Sequence, residues 1–307
     1  MFDITALPLI NAAQIAERVS MLDATRALQK ALQEFDPADA LQRRIEHVEH
    51  GQLLLMPAEV GRFAGQKFAT VAPANTERGL DRIQAVYILL DAETLSPVAL
   101  MDGTELTSIR TPAVSAAIID LLAVPGAREL VVFGTGPQGI RHVEAMLAIR
   151  PQLERVTLIG RNQGKAQAAA DAASKYGVPV AVGTGEEIAS ADIIVTATTA
   201  AAPLFDDDAI TGSPAIAAVG SHETDRRELP GALVARSQTV IESVEVALRE
   251  CGDATMAIAE GLMSADGLVP MIDIVRGSAE PDFTRPRIIK TAGMGWQDLV
   301  VASLLAD

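Results

Sequence analysis

Residues 130–139 read LVVFGTGPQG, an apolar run that leads directly into a glycine-rich turn. The run predicts a buried β-strand, and the residues after the turn repeat apolar positions at the spacing of one helix face. A strand, a G-x-G-x-x-G turn and a helix in this order begin a Rossmann domain, where the glycines and the helix N-terminus receive a pyrophosphate. The alternative is a glycine-rich turn that binds no nucleotide. We predict a nicotinamide-dinucleotide site formed by Gly134, Thr135, Gly136, Pro137, Gln138 and Gly139.

Strands and helices alternate from this turn onward. Apolar runs predict strands at residues 129–133, 155–159, 178–182, 193–197 and 215–219, with helices at 138–149 and 164–176. Such an alternation is typical of the α/β class with a doubly wound parallel sheet.

The two ends of the chain have a different pattern. Apolar spacing predicts helices at residues 15–35, 113–122 and 298–305, and short runs separated by Pro, Gly, Asn and Asp predict antiparallel strands at 53–56, 65–71 and 84–90. We therefore expect an α+β part beside the Rossmann domain.

The composition excludes several classes of function. The 307 residues include 25 basic and 40 acidic side chains, and the net charge of −15 argues against nucleic-acid and anionic-membrane partners. The single cysteine, Cys251, allows no disulfide within the chain, which fits a reducing cytoplasm. No apolar run approaches the roughly 18 residues that a membrane span requires. No spacing of His, Cys, Asp or Glu suggests a metal site.

The choice of cofactor depends on the end of the second predicted strand. Enzymes that use NAD usually place an acidic residue there to bind the ribose 2′-hydroxyl. Residues 159–165 read IGRNQGK and contain no acid. Arg161 and Lys165, with Asn162 between them, are instead suited to a 2′-phosphate, although a solvated surface arginine is the alternative. NADP(H) is therefore favoured, and NAD(H) remains possible.

Several segments together resemble the ornithine cyclodeaminase/mu-crystallin family. In order they are LMPA at 55–58, GQK at 65–67, MDGTELT at 101–107, RT at 110–111, the Gly134 turn followed by His142, KTAG at 290–293 and DL at 298–299. The resemblance runs over nearly the whole chain. It implies a homodimer in which residues 1–112 and 291–307 form a substrate-binding and dimerisation domain, with 113–290 as the Rossmann domain.

The resemblance also implies roles for individual residues. Arg43, Lys67 and Arg110 match positions that hold a substrate carboxylate, and Lys67 would also touch the substrate nitrogen. Arg44 is an alternative to Arg43. For each of these basic residues, the alternative without a functional role is a surface cation paired with an acid. The remaining positions implied at the cofactor are Gln84, Thr111, Thr198, Val219, Gly220, Arg226 and Thr291.

One departure from the family bears on the reaction. The cyclodeaminases carry a proton-transferring aspartate where this chain has His222. A histidine still performs acid–base chemistry, but its protonated form has the opposite charge. Glu223 and Asp225 are neighbouring carboxylates, and a loop histidine that caps the next helix is the non-catalytic alternative. The departure argues against ornithine cyclodeamination.

The most consistent function is an NAD(P)H-dependent reductase of small α-imino acids, with Lys67 and His222 as its catalytic residues. Reduction of an existing imine needs a hydride, a carboxylate clamp and one proton. Two alternatives stay open. One is a lyase that releases ammonia while NAD is recycled internally, and the other is a crystallin-like protein that binds NADPH and a ligand without turnover.

Overall fold

The computed structural model describes residues 3–306. The chain forms two compact units. The terminal unit comprises Met1–Thr111 and Gly293–Asp307, and the central unit comprises Pro112–Ala292. Within residues 3–306, no helix is long and apolar enough to cross a membrane.

The first part of the terminal unit is mainly a sheet. Its elements are β1 (Leu9–Ile10), α1 (Ala12–Arg18), α2 (Met21–Glu34), β2 (Arg44–Val48), β3 (Gly51–Val60), β4 (Phe63–Val71), β5 (Ile83–Asp91) and β6 (Pro97–Asp102). The sheet order is β1-β6-β5-β4-β3-β2, and every pair except the parallel β1–β6 pair is antiparallel.

The single helix predicted over residues 15–35 is wrong in one respect, because two helices occupy this stretch. Val19 is extended and ends α1, and the hydroxyl of Ser20 accepts a hydrogen bond from the backbone N–H of Asp23 at 3.1 Å. Ser20 therefore caps a new helix. Apolar periodicity continues across the break, so spacing alone did not reveal it.

The central unit follows through a long helix. This helix, α3 (Gly103–Leu122), belongs to the terminal unit up to Thr111 and to the central unit from Pro112. The other elements of the central unit are β7 (Glu129–Phe133), α4 (Pro137–Ile149), β8 (Arg155–Ile159), α5 (Gln163–Ala173), β9 (Val180–Val182), β10 (Ile193–Thr196), β11 (Ala215–Ala218), α6 (Gly231–Arg236), β12 (Gln238–Ile241), α7 (Val244–Glu250), α8 (Gly252–Ala259), β13 (Leu268–Pro270), α9 (Met271–Arg276) and β14 (Arg287–Lys290). The last helix, α10 (Gly295–Ser303), belongs to the terminal unit.

Helix α3 begins ten residues before the predicted start at 113, since Asp102 accepts from the backbone N–H of Glu105 at 2.9 Å and caps it. Pro112 lies inside this helix. Proline lacks a backbone N–H and is best tolerated in the first turn of a helix. Pro112 therefore resembled a start signal in the sequence.

The central sheet has eight strands, all parallel, in the order β13-β12-β14-β11-β10-β7-β8-β9. The α/β class and the doubly wound parallel sheet are confirmed. The chain reverses direction across the sheet between β7 and β10, and ligands of such sheets bind at the carboxyl ends of strands at this point. The prediction contained five of the eight strands and missed β12, β13 and β14.

Two glycines bring the turn after β7 close to its neighbours. Gly134 has a φ of +131°, and a Cβ there would lie 2.4 Å from the carbonyl oxygen of Ala197. A Cβ at Gly139 would lie 2.1 Å from the carbonyl oxygen of Gly134. Both distances are too short for any side chain. Glycine at 134 therefore lets the turn approach the residue after β10, and glycine at 139 lets α4 pack on the turn.

We expect Gly139→Ala to lower the free energy of unfolding by about 1–3 kcal/mol, because the new methyl group forces α4 away from the turn. Urea denaturation measures this value. Gly126→Ala is the control, since no atom lies within 4 Å of a Cβ built at that exposed glycine. Equal stability of the two variants would contradict this account of the packing.

Candidate active site

The turn after β7 leaves room for a phosphate group. Gly136 caps α4 with its backbone, Pro137 occupies the first turn, and no side chain caps this end of the helix. No atom lies within 4 Å of a Cβ built at Gly136. The first backbone N–H groups of a helix have no partner within the helix and attract anions. The residues present therefore fit the pyrophosphate of a dinucleotide.

The end of β8 carries the predicted 2′-phosphate residues. Gly160 allows close contact with the turn, because a Cβ there would lie 2.2 Å from Cγ2 of Thr135. Arg161 and Lys165 are exposed, and within residues 3–306 their side chains make no hydrogen bond or ion pair. The side chain of Asn162 accepts from the backbone N–H of Lys165 at 2.9 Å and caps α5. Two unpaired cations beside a helix N-terminus suit a phosphate.

The carboxyl ends of β10 and β11 hold the next group of predicted cofactor residues. Thr198 follows β10, and Val219 and Gly220 follow β11. The backbone N–H of Val219 donates to the carbonyl of Thr196 at 2.9 Å, which continues the strand pairing. Thr291 follows β14, is buried, and donates its backbone N–H to the carbonyl of Ala218 at 3.2 Å. These four residues therefore lie at the ligand-binding edge of the central sheet.

The loop between β11 and α6 carries His222 and Arg226. His222 is exposed. The Nε of Arg226 lies 2.7 Å from Oε2 of Glu223, and both side chains are about half exposed. The hydroxyl of Ser221 is buried and donates to the carbonyl of Arg226, which tightens the loop.

The terminal unit contains a buried group of charges, the Asp298 cluster, formed by Lys67, Thr107, Arg110, Gln297 and Asp298. The Nζ of Lys67 lies 2.9 and 2.8 Å from the two carboxylate oxygens of Asp298 and 3.1 Å from the hydroxyl of Thr107. The Nε of Arg110 donates to the same carboxylate at 3.2 Å, and a terminal nitrogen donates to Oε1 of Gln297 at 2.9 Å. One carboxylate therefore binds two cations.

Backbone packing brings Arg110 to this position. Gly293 has a φ of +84°, and a Cβ there would lie 2.7 Å from a terminal nitrogen of Arg110. Helix α10 packs on β3 and β4, and a Cβ at Gly295 would lie 2.6 Å from the carbonyl oxygen of Pro57. Glycine at both positions lets the start of α10 approach β3 and the arginine closely.

Burial and charge alter the pKa of two groups here. Burial, followed by the charge of Arg110, lowers the pKa of Lys67 to about 8, although Asp298 opposes this change. Burial, followed by the charge of Asp298, raises the pKa of Tyr87 well above its ordinary value. Lys67 is therefore protonated at neutral pH but gives up its proton more readily than an exposed lysine.

Arg43 and Arg44 differ in their environment. Arg43 is half-buried, and its charge contributes to the lowered pKa of Lys67, whereas Arg44 is exposed at the start of β2. This difference favours Arg43 as the residue near the cluster.

Two further residues implied at the cofactor differ in exposure. Thr111 is half-buried on α3, and Gln84 is exposed on β5.

Sequence reasoning did not assign a site role to Asp298, Gln297 or Thr107. The signal for Asp298 was an acid within the mostly apolar segment GWQDLVVAS, residues 295–303. An acid on a helix that must be buried requires a charged partner. Its partners lie 231 and 188 residues away in the sequence, so the pairing itself could not be inferred.

We expect Asp298→Asn to lower the free energy of unfolding by about 3–5 kcal/mol, because it leaves the cations of Lys67 and Arg110 buried without a carboxylate. Urea denaturation at pH 7, where Lys67 carries its proton, measures this loss. Adding Lys67→Met removes one of the two cations and should recover part of the loss. Asp171→Asn on the exposed face of α5 is the control. A double variant less stable than Asp298→Asn would contradict the assignment.

Comparison with known proteins gives consistent results. The sequence model of the ornithine cyclodeaminase/mu-crystallin family matches residues 8–307. The chain is 36% identical over 268 residues to the Δ1-pyrroline-2-carboxylate reductase of Bacillus thuringiensis subsp. konkukian (strain 97-27), with 84% of this chain and 82% of that protein covered.

Two solved structures have the same fold. One is the Δ1-pyrroline-2-carboxylate reductase of Thermococcus litoralis in complex with NADH and L-proline, with 27% identity, a TM-score of 0.92, and 97% of this chain and 96% of that one covered. The other is the iminosuccinate reductase of Paracoccus denitrificans in complex with NAD+, with 26% identity, a TM-score of 0.90, and 97% and 95% covered. The resemblance inferred from short segments is confirmed. The chain belongs to the ornithine cyclodeaminase/mu-crystallin family.

Proposed function

We propose that the chain reduces the C=N bond of small α-imino acids, with Δ1-pyrroline-2-carboxylate as the model substrate and NAD(P)H as the hydride donor. The observation that carries this proposal is the Asp298 cluster, in which Lys67 and Arg110 share one carboxylate and leave one positive charge in excess. A buried positive excess is unfavourable until an anion joins it. The carboxylate of an α-imino acid is such an anion, and the named reactions of the relatives support this choice.

Different parts of the site bind the substrate carboxylate, hold the hydride donor and supply the proton. Arg110 and Arg43 bind the substrate carboxylate through charge-assisted hydrogen bonds, and Arg110 is oriented for this by Asp298 and Gln297. The central sheet edge holds NAD(P)H, which when bound supplies the hydride that the imine carbon accepts. One proton must also reach the imine nitrogen, so that C=N becomes CH–NH.

Lys67 is the proton donor that the contacts favour. Its ammonium is buried, is oriented by Asp298 and Thr107, and has a pKa of about 8. A donor with a pKa near the working pH transfers its proton readily. His222 is the second candidate, since it lies in a loop at the carboxyl edge of the central sheet.

We also propose that a second copy of the chain covers one face of the six-stranded sheet. Leu55, Phe68 and Val86 are direct partners across β3, β4 and β5 and share this face. Phe68 and Val86 are 38% and 57% exposed. Adjacent exposed apolar side chains of this size are typical of a protein–protein interface. A homodimer would bury them.

We expect the purified protein to oxidise NADPH when Δ1-pyrroline-2-carboxylate is added and to release no ammonia from ornithine. Absorbance at the reduced-nicotinamide band and an ammonia assay measure the two activities. Ammonia release from ornithine without a net change in NADPH would contradict the reductase and favour the lyase. Tight NADPH binding with no oxidation by cyclic or linear imino acids would favour a binding protein.

NADPH is the cofactor that we propose, because Arg161 and Lys165 are unpaired cations at the end of β8. We expect Arg161→Ala to raise the KM for NADPH by about tenfold or more and to leave the KM for NADH within about twofold, since only NADPH loses a charge-assisted hydrogen bond. The control is Arg128→Ala, an exposed arginine just before β7, at the amino end of the same sheet. An equal change for both cofactors would rule out Arg161 as the phosphate-binding residue.

A further inference from the structure

Glu228 is a fully buried acid in the central unit that the reaction described above does not use. Its carboxylate accepts four hydrogen bonds. Oε1 accepts from the backbone N–H and the hydroxyl of Thr198, both at 2.7 Å. Oε2 accepts from the hydroxyl of Thr196 at 2.9 Å and from the backbone N–H of Gly220 at 2.7 Å. One side chain therefore joins the carboxyl ends of the neighbouring strands β10 and β11.

The surrounding backbone is closely fitted to this carboxylate. A Cβ at Gly220 would lie 2.0 Å from the carbonyl oxygen of Thr198 and 2.6 Å from Oε1 of Glu228. The hydroxyl of Thr198 also accepts from the backbone N–H of Ala200 at 3.1 Å. The polar groups of Thr198 are thus largely committed to Glu228 and to its own loop.

Glu228 is itself held from the opposite side. Its backbone N–H and that of Leu229 both donate to Oδ1 of Asp253 at 2.8 Å. The other oxygen of Asp253 lies 3.2 Å from the ammonium of Lys290, which also donates to the carbonyl of Ser221. All three charged side chains are buried. This network extends from the end of β14 to the loop that begins with Ser221 and His222.

We infer that Glu228 is a positioning residue for the nicotinamide half of the bound dinucleotide, an inference that rests on the proposed function. In a doubly wound sheet the two halves of a dinucleotide lie on opposite sides of the point where the strand order reverses. The turn after β7 and the end of β8 then receive the pyrophosphate and the adenosine. The ends of β10 and β11, which Glu228 joins, receive the nicotinamide ribose.

Removing the charge of Glu228 should weaken the binding of only one half of the dinucleotide. Glu228→Gln keeps the shape, but its amide nitrogen faces N–H and O–H donors in place of an acceptor. The ends of β10 and β11 then lose part of their side-chain connection while the backbone pairing of the two strands remains. The turn after β7 and the end of β8 make none of these side-chain contacts. Binding of the nicotinamide half should weaken, and binding of the adenosine half should not.

The experiment compares the dissociation constants of NADPH and adenosine 2′,5′-bisphosphate for the wild-type protein and Glu228→Gln. NADH and ADP are the matched pair if the wild type prefers NADH. We expect the constant for the whole dinucleotide to rise about tenfold or more and the constant for the fragment to stay within about twofold. Glu260→Gln is the control, since Glu260 is a part-exposed partner of Arg227 on the same unit.

Equal weakening of both ligands, or no weakening of either, would overturn the inference. If Glu228→Gln does not fold, Thr196→Val removes one of the four donors at nearly constant volume. It should then show the same selectivity at about two- to fivefold. A wild-type protein that binds neither dinucleotide would overturn the proposed function instead.

Discussion

One carboxylate, that of Asp298, neutralises both the ammonium of Lys67 and the guanidinium of Arg110 inside the terminal unit. Isolated charges are expelled from protein interiors, so neither cation would be stable there without it. The three residues come from β4, α3 and the last helix of the chain. The pairing therefore requires both chain ends to fold together, and it explains why a unit made largely from the first hundred residues includes α10.

The central unit uses a buried acid in a different way. Glu228 accepts four hydrogen bonds from neutral donors, and the charge of Lys290, which is paired with Asp253, also acts on it. Neutral donors stabilise a carboxylate without cancelling its charge, and they fix the geometry of the groups that donate. In the proposed function the Asp298 cluster leaves a positive charge for a substrate anion, whereas the hydrogen bonds of the Glu228 network fix the shape of a strand edge.

Local patterns predicted the parts of the fold that depend on local chemistry. Residues 130–139 form the expected strand, turn and helix, because the apolar run and the glycines act over a few neighbouring residues. Strands β12, β13 and β14 were missed. They are only three or four residues long and include polar or proline positions such as Gln238, Pro270 and Arg287, so they depend on pairing with distant strands.

The same distinction holds for the site. Lys67 and Arg110 were found through motifs that resemble a family, and the structure places both on one carboxylate. The buried acids Asp298 and Glu228 were not assigned roles. Asp298 binds residues 231 and 188 positions away, and Glu228 binds Thr198 at 30 positions as well as Gly220 at 8. No sequence spacing records the long-range contacts.

The charge of the whole chain makes this local arrangement necessary. A net charge of −15 repels an anionic imino acid and an anionic dinucleotide alike. At physiological ionic strength, however, the repulsion between exposed charges is screened beyond about 8 Å. Buried cations are screened much less, so in the proposed function Lys67 and Arg110 would determine the potential at the site of the substrate carboxylate. An acidic surface and an anionic substrate are compatible for this reason, and the excess positive charge beside Asp298 is the feature that reconciles them.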